Sequence, residues 1–388
     1  MNATSEKINL LSLNRQGLEA FFLEIGEKAF RATQIIKWIY QNGVTDFDEM
    51  TNISKSLRTK LAQTCEIQLP VVDQMQLSND GTRKWLMRLS DGNAIEVVFI
   101  PEEDRGTLCI SSQVGCSLNC TFCATARQGF NRNLTPGEIV GQVWHAWHSM
   151  AKETNSTGFE SKQSNLPGEK QVDTRPITNI VLMGMGEPLL NYDAVVTAIG
   201  TLRDDFGFGL SKRRITLSTA GMVPAIAKLS EDMPVSLAVS LHATTDELRN
   251  QLVPLNKKYP ISVLLEACKA YVNDKQRQRI TFEYLMLDGI NDSDEQALEL
   301  ARLLKDVPSK VNLIPFNPVE GINFIRSPEK RVNRFRDILL SKGIVTMTRK
   351  TRGDDIDAAC GQLVGKVDDR TKRSQRMTAQ YVAQPTSA

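Results

Sequence analysis

Apolar residues recur at helical spacing through the first seventy positions. Leu18, Phe21, Phe22 and Ile25 share one face of Asn14–Ile25, and Gly26 ends the run. Phe30, Ile35, Ile36, Trp38, Ile39 and Tyr40 form a second apolar-rich helix, closed at Asn42-Gly43. Ser54 is placed to cap a third helix through Leu57 and Leu61. Its Lys55, Arg58 and Lys60 make either a solvated face or a docking surface.

From about residue 70 the period shortens to two. Asn79-Asp80-Gly81 and Asp91-Gly92 are turns between short β-rich runs. In Ala94–Ile100, Ile95, Val97 and Phe99 share one face, and Ala94, Glu96, Val98 and Ile100 share the other. Glu96 is thus a carboxylate on an apolar face. It is either an edge-strand charge turned to water or a partly buried base with a raised pKa.

Beyond residue 107 strands and helices alternate. Expected strands are Thr107–Ser112, Ile177–Met183, Arg214–Ser218, Pro234–Ser240, Arg279–Leu287, Lys310–Pro315 and Gly343–Arg349, with helices such as Pro136–Ala151, Ala194–Arg203 and Ser293–Leu304 between them. Near-continuous apolar strands in this rhythm argue for a parallel sheet covered by helices. The unusual residues all follow strand ends, where a barrel of parallel strands collects its active site. The polar stretch 152–175 breaks the rhythm and is expected to be a mobile insertion. The tail from Met377 to Ala388 is expected to be disordered.

Composition narrows the class. A chain of 388 residues with 24% charged and 41% hydrophobic residues has the make-up of a soluble globular protein. The net charge of +2 means that any nucleic-acid surface is local. Met1–Leu11 lacks the charged start and apolar core of a secretory leader. No apolar run approaches the roughly 18 residues that span a bilayer. Seven cysteines, unevenly clustered, point to a reducing compartment and to metal rather than to a disulfide framework.

Three of those cysteines, Cys116, Cys120 and Cys123, fall within one short loop directly after a strand. Three thiolates at this spacing can each take one iron of a [4Fe-4S] cube, leaving the fourth iron open for chemistry. The competing ligand is zinc, with His145, His148 or His242 as a fourth donor. Phe122 stands between the second and third cysteines, where it would shield a cluster from water.

This spacing, with an aromatic residue before the third cysteine, resembles the signature of radical S-adenosylmethionine (SAM) enzymes. Gly184-Met185-Gly186-Glu187-Pro188 resembles their glycine-rich strand end. Glu96–Pro101, Cys109–Cys116, Gly184–Leu190, Phe206–Arg214, Ser240–Ala243 and Lys350–Gln362 are similar to the RlmN family of that superfamily, over about residues 8–376. The resemblance implies a [4Fe-4S] cluster on Cys116, Cys120 and Cys123. It implies SAM contacts at Gly186, Glu187, Ser218, Ser240, Leu241, His242 and Asn317. It further implies methylation of adenosine C2 in 23S rRNA, and beside the anticodon in tRNA. The methyl would travel on Cys360, with Glu96 as base. Cys109 would release the product by attacking the Cys360 sulfur, and cellular thiols would reduce the transient disulfide. Taken without the family, Cys360 and Cys109 are ordinary small buried residues, and nothing in their spacing pairs them. Cys65 and Cys268 match no motif and are assigned to the core.

The expected architecture is α/β. A partial (β/α) TIM-like barrel spans 105–350, with a small helical RNA-docking domain at 1–70. A β-hairpin linker occupies 71–104, and a C-terminal segment at 351–388 carries Cys360. Lys212-Arg213-Arg214, Lys330-Arg331, Arg334, Arg336, Arg349-Lys350, Arg352, Arg370 and Lys372-Arg373 are candidates for a basic rim. Expected partners are 23S rRNA, tRNA and an electron donor such as flavodoxin with its reductase. The expectation is a cytoplasmic monomer away from membranes. Two rivals remain: C8 methylation of the same rRNA base, and a zinc-stabilised RNA-binding protein without catalysis.

Overall fold

A computed structural model describes residues 7–103, 105–153, 175–272 and 279–370. Most of the polar stretch 152–175, Lys372-Arg373 and the tail lie outside the described residues. β1 (Ile8–Asn9) and β2 (Cys65–Glu66) pair in parallel and bracket the N-terminal helices α1 (Arg15–Glu24), α2 (Arg31–Ile36) and α3 (Lys55–Thr64). The Asn14 side chain caps α1 by accepting from the Gly17 N–H at 2.9 Å. Ser54 caps α3 as expected, accepting from Leu57 N–H. The expected second helix continues past α2 as one π turn, Lys37–Gln41. Phe30, counted on its apolar face, precedes the helix as its N-cap and is half exposed. Leu18, Phe22, Ile35, Ile39, Leu57 and Leu61 are buried in a core continuous with that of the main domain. Arg15 clamps both oxygens of Asp204 at 2.5 Å, tying α1 to the chain beyond α6 (Tyr192–Arg203).

A ten-stranded sheet forms the body. Its first strands, β3 (Val71–Leu77), β4 (Arg83–Arg88) and β5 (Ala94–Glu102), form an antiparallel meander turning at Gly81 and Gly92. β5 then pairs antiparallel with β6 (Arg105–Cys109), so the hairpin segment continues the barrel sheet. β7 (Gln113–Gly115) and β8 (Phe130–Asn133) make a separate ribbon. From β6 every pairing in the sheet is parallel, through β9 (Asn179–Leu182), β10 (Ile215–Thr219), β11 (Ser236–Ser240), β12 (Ile280–Met286), β13 (Ser309–Pro315) and β14 (Val345–Thr348). This arc, interleaved with helices, is the partial TIM-like barrel.

The intervening helices are α4 (Ala124–Arg127), α5 (Pro136–Glu153), α6, α7 (Val223–Asp232), α8 (Asp246–Leu252), α9 (Ile261–Val272), α10 (Asp294–Leu303) and α11 (Glu329–Ser341). The capping box at Ser293 and Gln296 starts α10 where the sequence predicts. β12 is buried along its whole length, as a strand covered on both faces must be. β6 stops three residues before the expected Ser112. The Ser111 N–H is taken by the Gln142 side chain at 2.8 Å, and the Ser112 N–H by Met185 O, so the chain turns inward toward the site. Among the described residues no helix is long and apolar enough to cross a membrane.

Candidate active site

The cysteine loop is held from several directions. Gly115 enters it at φ +75°, and a Cβ there would lie 2.2 Å from Gly129 O, so only glycine permits the approach of the two segments. Cys116 N–H donates to Gly129 O at 2.8 Å, and Thr121 N–H to Leu252 O at 3.1 Å. Ala124 N–H donates to Gly361 O at 2.8 Å. The three cysteines face one cavity of about 940 Å³ at the C-terminal ends of the barrel strands. Burial pushes the thiols of Cys120 and Cys123 upward, and Cys116 and Cys123 add to the shift at Cys120.

The opposite walls carry most of the expected SAM residues. Gly186, Glu187, Ser218, Ser240 and His242 all line the cavity. Gly186 has φ +100°, and a Cβ would meet Gln113 Cβ at 2.5 Å. Glu187 accepts from Ala220 N–H at 2.8 Å and Leu189 N–H at 3.2 Å; burial raises its carboxyl to about 7 against those bonds. His242 sits at φ +60°, and its Nδ1 accepts from Leu285 N–H at 3.1 Å. Burial lowers its pKa to about 3, so the ring is neutral, and it meets Phe122 edge-on. Leu241 does not line the cavity: its side chain is in the core, its N–H donates to Glu283 O at 3.0 Å and its carbonyl accepts from Arg249 at 3.0 Å. Asn317 lines an adjoining cavity and donates to Cys360 O at 3.3 Å.

The chain beyond β14 crosses the barrel mouth as a strap. Lys84 donates to Asp357 O, Gln362 to Pro318 O at 3.0 Å, Thr125 to Leu363 O at 2.8 Å, and Ala94 N–H to Lys366 O at 2.7 Å. The strap places Cys360 in the wall of the cysteine cavity. Cys109 is buried at the end of β6, where enclosure and the Cys360 thiol push its own thiol up to about 12. Arg349 lies beside both sulfurs and acts in the other direction. Neither cysteine is bridged.

Glu96 occupies a different wall. β5 runs between β4 and β6, so Glu96 is not an edge-strand charge; its residue is only 6% exposed. Its carboxylate pairs with Lys84 Nζ at 3.2 Å and accepts from Val364 N–H at 2.7 Å. Burial raises its pKa, while Lys84 and the Val364 N–H pull it back. It faces a second cavity, of about 1270 Å³, lined also by Asp357 and Gln362. The strap therefore separates Glu96 from Cys360.

The residues fit an iron–sulfur cluster. Cys116, Cys120 and Cys123 lie on one loop and line one cavity, and three thiols are the donor set that takes three irons of a cube and leaves the fourth open. His145 bonds Pro70 O and His148 stacks on Trp144, both on α5, and neither lines the cysteine cavity. The basic-rim candidates are mixed: Arg334 and Arg336 pair with Asp294 and Asp337, whereas Lys212, Arg213, Lys330, Arg331 and Lys350 are exposed. Two residues were missed from sequence. Glu283 accepts from Ser218 at 3.1 Å in the cavity wall, and Arg249 is buried behind the cysteine loop. Arg349, expected on the basic rim, lies beside Cys360 instead. Glu283 carried the same signal as Glu96, a charge inside an apolar strand. Arg249 carried none.

Residues 8–67 match the Ribosomal RNA large subunit methyltransferase N-terminal domain, and residues 168–301 match the Radical SAM superfamily. A solved radical SAM methyltransferase from Sphaerobacter thermophilus is 43% identical, with a TM-score of 0.82 over 92% of this chain and 99% of that one. More distant are a domain of pyruvate-formate lyase-activating enzyme from Bacteroides vulgatus (13% identity, TM-score 0.35, 44% and 99% covered) and SuiB from Streptococcus suis bound to S-adenosylmethionine (13%, 0.42, 86% and 66%). These two carry no further argument. The cofactors of the chain are accordingly a [4Fe-4S] cluster and SAM.

Replacing Gly186 with Ala tests the cradle. The forced φ adds strain of ~1–3 kcal/mol, so SAM affinity of the cluster-loaded protein should fall about ten- to a hundredfold. Equilibrium dialysis measures it, and unchanged affinity would show that the cradle does not touch SAM.

Proposed function

This chain belongs to the RlmN family of radical SAM methyltransferases, and we propose that it methylates adenosine C2 in the peptidyl transferase region of 23S rRNA and beside the anticodon in tRNAs. The observation that carries this reading is the position of Cys360, a thiol in the wall of the cavity that the three cluster cysteines share. C2 of adenine lies between two ring nitrogens and is electron-poor, so it does not attack a sulfonium methyl as an amine does. A thiol that first takes the methyl and then delivers it as a carbon radical removes that difficulty.

A cluster held by Cys116, Cys120 and Cys123, with SAM beside it, would supply a methyl group, a carbon-centred radical able to take a hydrogen atom, and an acceptor for one electron. The protein residues do the rest. Cys360, as a thiolate, takes the methyl by displacement and later holds the base covalently. Glu96 takes the C2 proton. The Cys109 thiolate attacks the Cys360 sulfur, so an S–S bond forms and the C–S bond breaks. The electron pair leaves on the carbon, which takes a proton and becomes the product methyl. Cellular thiols reduce the disulfide.

The second cavity gives the base its approach. A stacked adenine cannot reach a buried thiol and must be flipped out. The cavity beside Glu96 opens to solvent, which gives a flipped-out nucleoside a way in. Contact between Glu96 and the base held on Cys360 follows once the strap between Asp357 and Val364 shifts. Exposed Lys330, Arg331 and Lys350, with the domain matching an rRNA methyltransferase, support RNA as the partner. The electron donor fits a flavodoxin-type protein, and such chemistry belongs in a reducing cytoplasm.

Two measurements test this. Cys360→Ala should still cleave SAM reductively while methylating no RNA. Nucleoside digests from the unaltered enzyme should contain 2-methyladenosine; 8-methyladenosine would overturn the position, and methylation by the Ala variant would overturn the role of Cys360. Lys84→Met should raise the Glu96 pKa, because the cation favours the carboxylate. The base is then protonated at higher pH, so the acid limb of the pH–rate profile should move upward. An unmoved limb would assign it to another group.

A further inference from the structure

Arg249 is 1% exposed, on α8 behind the cysteine loop. Its guanidinium donates to Leu241 O at 3.0 Å, Ala220 O at 2.7 Å, Ser240 O at 2.9 Å and Asn256 Oδ1 at 2.8 Å. All four acceptors are neutral. Among the described residues no carboxylate stands within ion-pair distance of it. Asp246, an acid whose charge acts on Arg249, is engaged by Asn256 Nδ2 at 2.8 Å and Ile261 N–H at 2.9 Å. An unpaired buried charge is costly even with its hydrogen bonds satisfied, so such a cation needs a counter-charge.

The cysteine loop lies against it. Leu252, on the same helix, accepts from Thr121 N–H, and Leu248 and Leu252 pack in one apolar cluster with Leu118, Cys120 and Phe122. Cys120 is the thiol whose charge acts most on Arg249. A guanidinium holding four hydrogen bonds stays protonated at neutral pH. Three thiolates on a [4Fe-4S] cluster give that site net negative charge, and more on reduction.

We propose that Arg249 is the counter-cation of the iron–sulfur site and holds its reduction potential up. It is not among the residues that line the cysteine cavity; it acts on the cluster site from behind the loop, through Cys120. A fixed cation in a low-dielectric shell favours the more negative, reduced form, which is how charge near a cluster tunes its potential. The same hydrogen bonds pin the ends of β10 and β11, where Ser218 and Ser240 stand, so position and charge come from one side chain. The inference rests on the cluster and is independent of which RNA base is methylated.

The test is an EPR-monitored redox titration of reconstituted full-length protein. Arg249→Gln removes the charge and should move the midpoint to more negative potential, whereas Arg249→Lys should stay near the unaltered value. Arg249→Met removes the charge and keeps an unbranched side chain, so its midpoint should also fall. That variant decides the matter if Arg249→Gln does not fold. Fully loaded Arg249→Gln or Arg249→Met protein with an unmoved midpoint would overturn the proposal. Failure of the unaltered protein to hold a cluster would instead remove the cofactor assignment.

Discussion

The chemistry of this molecule depends on how the strap between Asp357 and Asp368 is tied across the barrel mouth. That segment has almost no regular structure of its own, so its path is fixed by side chains reaching its backbone. Asn317 holds Cys360 O, Gln362 reaches Pro318 O, and Glu96 takes the Val364 N–H. Each is one hydrogen bond of modest net value, about 1 kcal/mol. Together they bring a thiol from the end of the chain to a cavity built by strands far earlier. They are also few enough to be exchanged when substrate enters, and Glu96 is both a tie for the strap and the proposed base.

The second feature is the concentration of buried charge at the strand ends. Glu187 and Glu283 line the cysteine cavity, Arg349 lines the adjoining one, and Arg249 lies behind the cysteine loop. A fold seeking stability alone would replace several of them with apolar residues. Their retention at one end of the barrel, with an apolar core beneath, marks where charge must be managed during reaction. Arg349 shows this most directly, because the groups it acts on are the two thiols of Cys360 and Cys109 and the two carboxylates of Glu283 and Glu102.

Much of the fold was legible because its elements carry periodic signals. Each strand of the parallel arc was found within a few residues, and Ser54 and Ser293 mark helix starts by their side-chain chemistry. The errors lie where tertiary contacts decide. β6 ends early because Gln142, from another element, captures the Ser111 N–H. Glu96 could be placed on a face but not inside the sheet, since strand order is not written in periodicity. The cysteine triplet was legible by spacing. Cys360 and Cys109 were not, because their pairing exists only when the strap is folded over β6, and Arg249 sits in an unremarkable polar helix.

The central claim is that Cys360 carries the methyl group. Peptide mass spectrometry of the cluster-loaded protein, incubated with methyl-labelled SAM under reducing conditions without RNA, tests it most directly. The account predicts one labelled methyl on the peptide containing Cys360, absent from the Cys360→Ala variant. An unmodified Cys360 peptide from protein that methylates RNA in the same preparation would contradict it.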